Sequence, residues 1–99
     1  MKLKVEAIAA IVPSVRAEIA RELVYVHKLN QQEVSSLLGV SQPAVSQYIR
    51  ELRGSRYRED FVRKEVSAIC DKLIKGARNE LEEDIYNLCR MIVENKSRR

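Results

Sequence analysis

The sequence predicts an all-α fold, and three observations carry that prediction. Glycine and proline together number five in 99 residues, against about twelve per hundred in average usage, so a many-stranded β protein would lack its turns. Leu, Ile, Val and Phe number 29, well above the roughly 20% below which chains tend to stay disordered. The apolar residues recur at spacings of three and four, which is one face of a helix. The length suits one domain, or one domain with an appendage.

Residues 3–12, LKVEAIAAIV, read as a helix on their alanine content, although Val and Ile leave a strand open. Pro13 suits the first turn of a new helix, where its missing N–H is not needed. From there Val15, Ile19, Leu23 and Val26 step by four, four and three, predicting an amphipathic helix to about Lys28. His27 falls in its last turn, as a solvated or packed residue and not a catalytic one. Asn30 with Glu33 is a capping-box spacing, so a short helix should start at Gln31 with Val34, Leu37 and Leu38 on its apolar side. Gly39 stops it by accepting the positive φ that follows many helices. Ser41 is a good N-cap for the next helix, and Pro43 falls in that helix's first turn. Val45, Tyr48, Ile49 and Leu52 form its buried side, and Gly54 is placed to end it.

Past a short basic connector, Phe61, Val62, Val66, Ile69, Leu73 and Ile74 mark a helix over roughly 59–75, with Gly76 after its end. Asn79 and Glu82 repeat the capping-box spacing, and acidic residues crowd the turn that follows, as a helix N-terminus favours. Leu81, Ile85, Leu88 and Ile92 then step by four, three and four. Two antiparallel helices are expected over 59–95, followed by a tail over 96–99. One long helix through Ala77 is the rival. The hairpin alone is too small to bury two apolar faces. Its stripe must pack on the front half, on a second copy or on another protein, and dimerisation through 59–95 is the preferred outcome.

The segment QQEVSSLLGVSQPAVSQYIR, residues 31–50, is the most informative. Two short helices are joined by a three-residue turn, and Ser35 is small where they should cross closely. The outward side of the second helix carries Gln42, Ala44, Ser46, Gln47 and Arg50, a neutral, polar and short surface. Such a surface fits a DNA major groove, where amides pair with base edges and small residues permit approach. Arg50, Arg53, Arg56 and Arg58 cluster at the exit of that helix, where a phosphate strand would run.

From LNQQEVSSLLGVSQPAVSQYIRELRG, the chain resembles the helix-turn-helix of the phage repressor and Cro family and related small archaeal transcriptional regulators. With the preceding helix, the resemblance covers about 40% of the chain. It implies a helix-turn-helix DNA-binding domain over 1–54, with the motif at 31–50, followed by the C-terminal helical hairpin. It also implies that Gln31 touches a phosphate and that Gln42, Pro43 and Gln47 face bases. Ser46 and Arg50 would lie near the backbone or groove edge. The sequence departs from the family at Ser35, where Ala is common, and at Pro43, which offers only apolar contact. The expected DNA-contacting set is therefore Gln31, Ser41, Gln42, Pro43, Ala44, Ser46, Gln47, Arg50, Arg53, Arg56 and Arg58.

The charge distribution agrees with that expectation. Residues 1–58 hold nine Lys/Arg and five Asp/Glu, whereas residues 59–99 hold nine of each, so the basic excess sits in the front half. One His and two Cys are too few for a zinc module, and there is no Gly-rich phosphate loop. No paired acids or nucleophile–base set suggests an enzyme. No cofactor or metal is expected. Glu6 interrupts the first apolar run, so no signal peptide is expected, and the longest charge-free stretch is too short and polar to span a bilayer. A cytoplasmic protein follows, with Cys70 and Cys89 reduced and buried. The expected partner is double-stranded DNA bound by a homodimer, with no membrane. An antitoxin-like or adaptor protein whose hairpin binds another protein is the alternative, and a non-DNA interaction module the third reading.

Overall fold

The computed structural model describes residues 2–51 and 57–97, with side chains from 4 to 51 and from 57 to 96. Five helices and no strand occur among these residues: α1 Lys2–Tyr25, α2 Gln31–Leu38, α3 Gln42–Glu51, α4 Asp60–Ile74 and α5 Leu81–Ser97. The all-α expectation holds. No helix among them is long and apolar enough to cross a membrane.

The first correction concerns Pro13. No new helix starts there: α1 is a single helix of 24 residues that runs through it. A mid-helix proline removes one hydrogen bond and crowds the carbonyl four residues back, costing about 3 kcal/mol. Here that carbonyl belongs to Ala9, and both Pro13 and Ala9 are exposed, so water can take the lost bond. Ile8 on one side, and Val15, Ile19 and Leu23 on the other, are all buried in the same core. Packing at both ends holds the helix continuous.

The far end of α1 is also shorter than the periodicity suggests. The helix ends at Tyr25, and Lys28 adopts φ 62, a left-handed conformation unusual for a residue with a side chain. The Leu29 N–H reaches back to the Leu23 carbonyl at 3.1 Å. His27 therefore lies just beyond the helix, with Nε2 3.8 Å from a Glu22 carboxylate oxygen.

The capping expectations for α2 are met. The Asn30 side chain accepts from the Glu33 N–H at 2.8 Å, and the Glu33 carboxylate accepts from the Asn30 N–H at 2.9 Å. Gly39 follows with φ 68. Ser41 Oγ accepts from the Ala44 N–H at 3.2 Å at the start of α3. Gly54 lies outside the described residues.

α4 and α5 are two helices, not one. Gly76 sits at φ 92 after α4, and the Ala77 N–H bonds the Lys72 carbonyl at 2.9 Å. Helix α5 starts one residue later than the Asn79 signal implies: the Glu80 carbonyl accepts from the Asp84 N–H at 2.8 Å, so Glu80 takes the capping position. The Glu80 side chain turns instead to Lys72, whose Nζ bonds Glu80 at 2.7 Å and Asp84 at 2.8 Å. Helix α5 reaches Ser97, taking in two residues of the expected tail over 96–99.

Helix α1 packs against each of the other four helices. Lys4 pairs with Glu94 at 2.7 Å and Arg16 with Glu82 at 2.6 Å, so α1 and α5 run antiparallel. Cys70 donates to the Ile19 carbonyl at 3.7 Å and ties α4 to the middle of α1. One buried cluster includes residues of all five helices, and Tyr57 joins it from the connector.

That cluster also takes in the hairpin stripe. Val62, Val66, Ile69, Leu73, Leu81, Ile85, Leu88 and Ile92 are all buried within the single chain. The hairpin stripe lies in the same core as α1, so among the partners open to it the front half of the same chain covers it.

Candidate nucleic-acid interface

Helix α3 carries different residues on its two sides. Val45 is fully buried, and Tyr48 and Ile49 pack partly buried against the core. These residues seat α3 on α1 and α2. On the opposite side, Gln42, Pro43, Gln47 and Arg50 are exposed, as is Ser41 just before the helix. Ala44 and Ser46 are half-buried at the margins. Gln42, Pro43, Gln47 and Arg50 are thus the residues of the expected DNA-contacting set that α3 exposes.

Gln31 opens α2, fifteen residues before Ser46, yet the two side chains meet. The Ser46 hydroxyl donates to the Gln31 carboxamide oxygen. This bond joins the first turn of α2 to the middle of α3 and leaves the Gln31 amide N–H groups available as donors. Beside them lies the α2 N-terminus, whose orphan N–H groups and dipole favour an anion. Ser35 is half-buried, and its hydroxyl donates to the Gln32 carbonyl at 2.8 Å.

Arg58 is exposed, next to the buried Tyr57. Arg53 and Arg56, as well as Leu52 on the expected buried side of α3, lie outside the described residues. Of the four arginines expected to form a cluster, Arg50 and Arg58 are thus placed as exposed cations.

Two residues at this surface were not among those expected from sequence. Gln47 Nε2 donates to a Glu51 carboxylate oxygen at 2.9 Å along the outer side of α3. The one-turn spacing of these two residues was the available signal. Arg78, from the link between α4 and α5, donates to the Ser36 carbonyl at 2.7 Å and braces the C-terminal half of α2. No local pattern predicts a contact across 42 residues.

Elsewhere, a cleft of about 440 Å³ between α1 and α5 is lined by Ala7, Ala10, Ile11, Ile92, Val93 and Lys96. A second, of about 260 Å³, opens between α1 and α4 beside Glu18, Arg21, Tyr25 and Val62. Neither takes a lining residue from α2 or α3. Among the described residues, no three His, Cys, Asp or Glu side chains gather as a metal site. Cys70 and Cys89 are both buried and unbridged.

Comparison with protein-family models, curated proteins and solved structures found no match to this chain.

Proposed function

We propose that this chain is a sequence-specific, double-stranded DNA-binding regulator of transcription, with α2 and α3 acting as a helix-turn-helix. The observation that carries the reading is the outward side of α3. It is neutral, amide-bearing and exposed at Gln42, Pro43 and Gln47, with Arg50 behind them. The α2 N-terminus and Gln31 are held beside it through Ser46. Base edges demand such short polar donors and acceptors, while a phosphate strand demands the cations and amide donors at the margin.

In this reading α3 enters the major groove, Gln42 and Gln47 contact bases, and Pro43 and Ala44 offer apolar contact. Gln31, Ser41 and Ser46 approach the backbone. Arg50, Arg53, Arg56 and Arg58 neutralise phosphates. The protein acts in the cytoplasm, and no catalytic role, metal or cofactor belongs to the reading. A homodimer remains part of it, because one module makes too few contacts for useful specificity. Its contact surface would be one other than the buried hairpin stripe, and its two half-sites would lie roughly 34–36 Å apart.

The test is selection of bound sequences from a random duplex pool, followed by titration of selected and random duplexes across a salt series. Saturable binding that prefers the selected duplex and weakens as salt rises supports the reading. Binding that is absent, or equal for all duplexes, removes the sequence-specific regulator.

A further inference from the structure

We infer that Glu51 fixes the side-chain amide of Gln47 and thereby makes Gln47 select adenine over guanine. This rests on the DNA-binding reading above and deepens it. A carboxylate only accepts hydrogen bonds, so the Gln47 group that faces it at 2.9 Å must be the Nε2 donor. The orientation of this amide is therefore set by its partner, whereas a solvated glutamine turns its oxygen and nitrogen over freely. The two residues are one helical turn apart and both exposed, which lets the bond form along the surface of α3.

An amide nitrogen carries two N–H groups. One goes to Glu51, which leaves Oε1 and the second N–H of this exposed side chain to meet a base. That remaining pair matches adenine in the major groove: Oε1 accepts from the N6 amino group, and the N–H donates to N7. Guanine presents acceptors at both N7 and O6. To satisfy both guanine acceptors, Gln47 would have to give up both N–H groups and so break the bond to Glu51. If it kept the bond, Oε1 would oppose O6, with the Glu51 carboxylate adding a second acceptor nearby. Glu51 thus acts as a positioning residue: it rejects one base through the amide it orients. A carboxylate at this edge also repels phosphate, so it weakens general affinity while sharpening choice.

The experiment locates the base pair whose preference is lost in Gln47→Ala and then measures adenine-over-guanine preference there in Glu51→Gln. Glutamine keeps the length and helix propensity of Glu51 but can donate as well as accept, so either orientation of Gln47 is allowed. The preference should fall about fivefold, the lower end of what a bidentate pair contributes. The preference at the Gln42 base pair should hold, and binding to random duplex should tighten. In a Gln47→Ala background the Glu51→Gln change should remove no further discrimination. A DNA-free readout accompanies these measurements: in the free protein, Glu51→Gln should move the Gln47 side-chain amide resonances and leave those of Gln42 in place. Unchanged adenine preference, equal loss in the Gln47→Ala background, or unmoved Gln47 resonances would each overturn the inference while leaving DNA binding intact. If the resonances move but the unaltered chain binds no duplex, the DNA-binding reading fails and the selectivity fails with it.

Discussion

Gln42 and Gln47 are separated by five residues, on the order of 7 Å along α3, or about two base-pair rises. Each can thus address its own base pair. Gln42→Ala or Gln47→Ala should relax preference at one base pair per half-site, a loss of about 1–3 kcal/mol of discrimination, with random-duplex binding nearly unchanged. Arg50→Ala and Arg58→Ala should instead weaken binding to every sequence and reduce the salt slope by about one per lost phosphate contact. Titrations of matched, mutated and random duplexes across a salt series separate the two behaviours. At the same scale, burial and then the nearby charges of Glu22 and Asp71 push the Cys70 thiol above its ordinary range. Burial pushes Cys89 up to about 11 against a smaller opposing pull from Arg16. A raised folded-state pKa means that the native protein holds these protons more tightly than the unfolded chain does. The thiols therefore cost no stability below the ordinary value of 9.0, and stability should fall as pH rises from there towards 11. Denaturant midpoints taken between pH 8 and 10.5 check this, and both thiols should react slowly with a disulfide reagent until the chain is unfolded.

Among the helices, the boundaries that were legible are those written by single side chains. Asn30 with Glu33, Gly39 and Ser41 each act within four residues, so their chemistry can be read without knowing the rest of the fold. Asn30→Ala should cost about 1 kcal/mol. Gly39→Ala should cost a similar amount, about 1–2 kcal/mol, because of its φ of 68; an added Cβ would meet nothing within 4 Å, so crowding has no part in the loss. Lys28 offers the opposite case. Its φ of 62 strains a side-chain-bearing residue, so Lys28→Gly should raise stability by about 0.5 kcal/mol once the greater freedom of glycine in the unfolded chain is deducted. Chemical denaturation of the three variants against the unaltered chain measures all three effects. Pro13 could not be read the same way. A proline's local preference favours a helix start, but the cost of an interior position is small against burial of Ile8, Val15, Ile19 and Leu23 on both sides of it. The Asn79 signal failed for a related reason: Lys72 draws in Glu80 and Asp84, and the helix starts one residue later. At the candidate interface, periodicity sufficed to turn Gln42, Gln47 and Arg50 outward. It could not show that Ser46 meets Gln31, which depends on how α2 crosses α3.

For the molecule as a whole, the eight-residue stripe of α4 and α5 shows what a periodic pattern specifies. It marks a side to be buried and leaves the covering partner unnamed. The partner lies within the chain, since one core takes residues from all five helices. Replacing Ile69 or Ile85 by Asp should therefore unfold the protein, not release folded monomers, because an unpaired charge in a packed core costs far more than marginal stability allows. Circular dichroism with sedimentation distinguishes the outcomes: loss of helix is what burial in the chain's own core gives, whereas a folded helical monomer would point to a dimer seam at these residues. Arg78 extends the same lesson. Its hold on the Ser36 carbonyl links the α4–α5 turn to α2, so the back of the molecule braces the part proposed to meet DNA.

The antiparallel pairing of α1 with α5 also governs what happens while the chain is being made. The last residue of α1 is Tyr25, and the first of α5 is Leu81. At about 5–20 residues per second, roughly 3–11 s of synthesis separate them. Throughout that interval α1 has no α5 to lie against, and the Lys4–Glu94 and Arg16–Glu82 pairs cannot close. A nascent chain halted after α3 would leave the sides of α1 that pack on α4 and α5 uncovered. The side of α1 that meets α5 is thus covered only once α5 has been made.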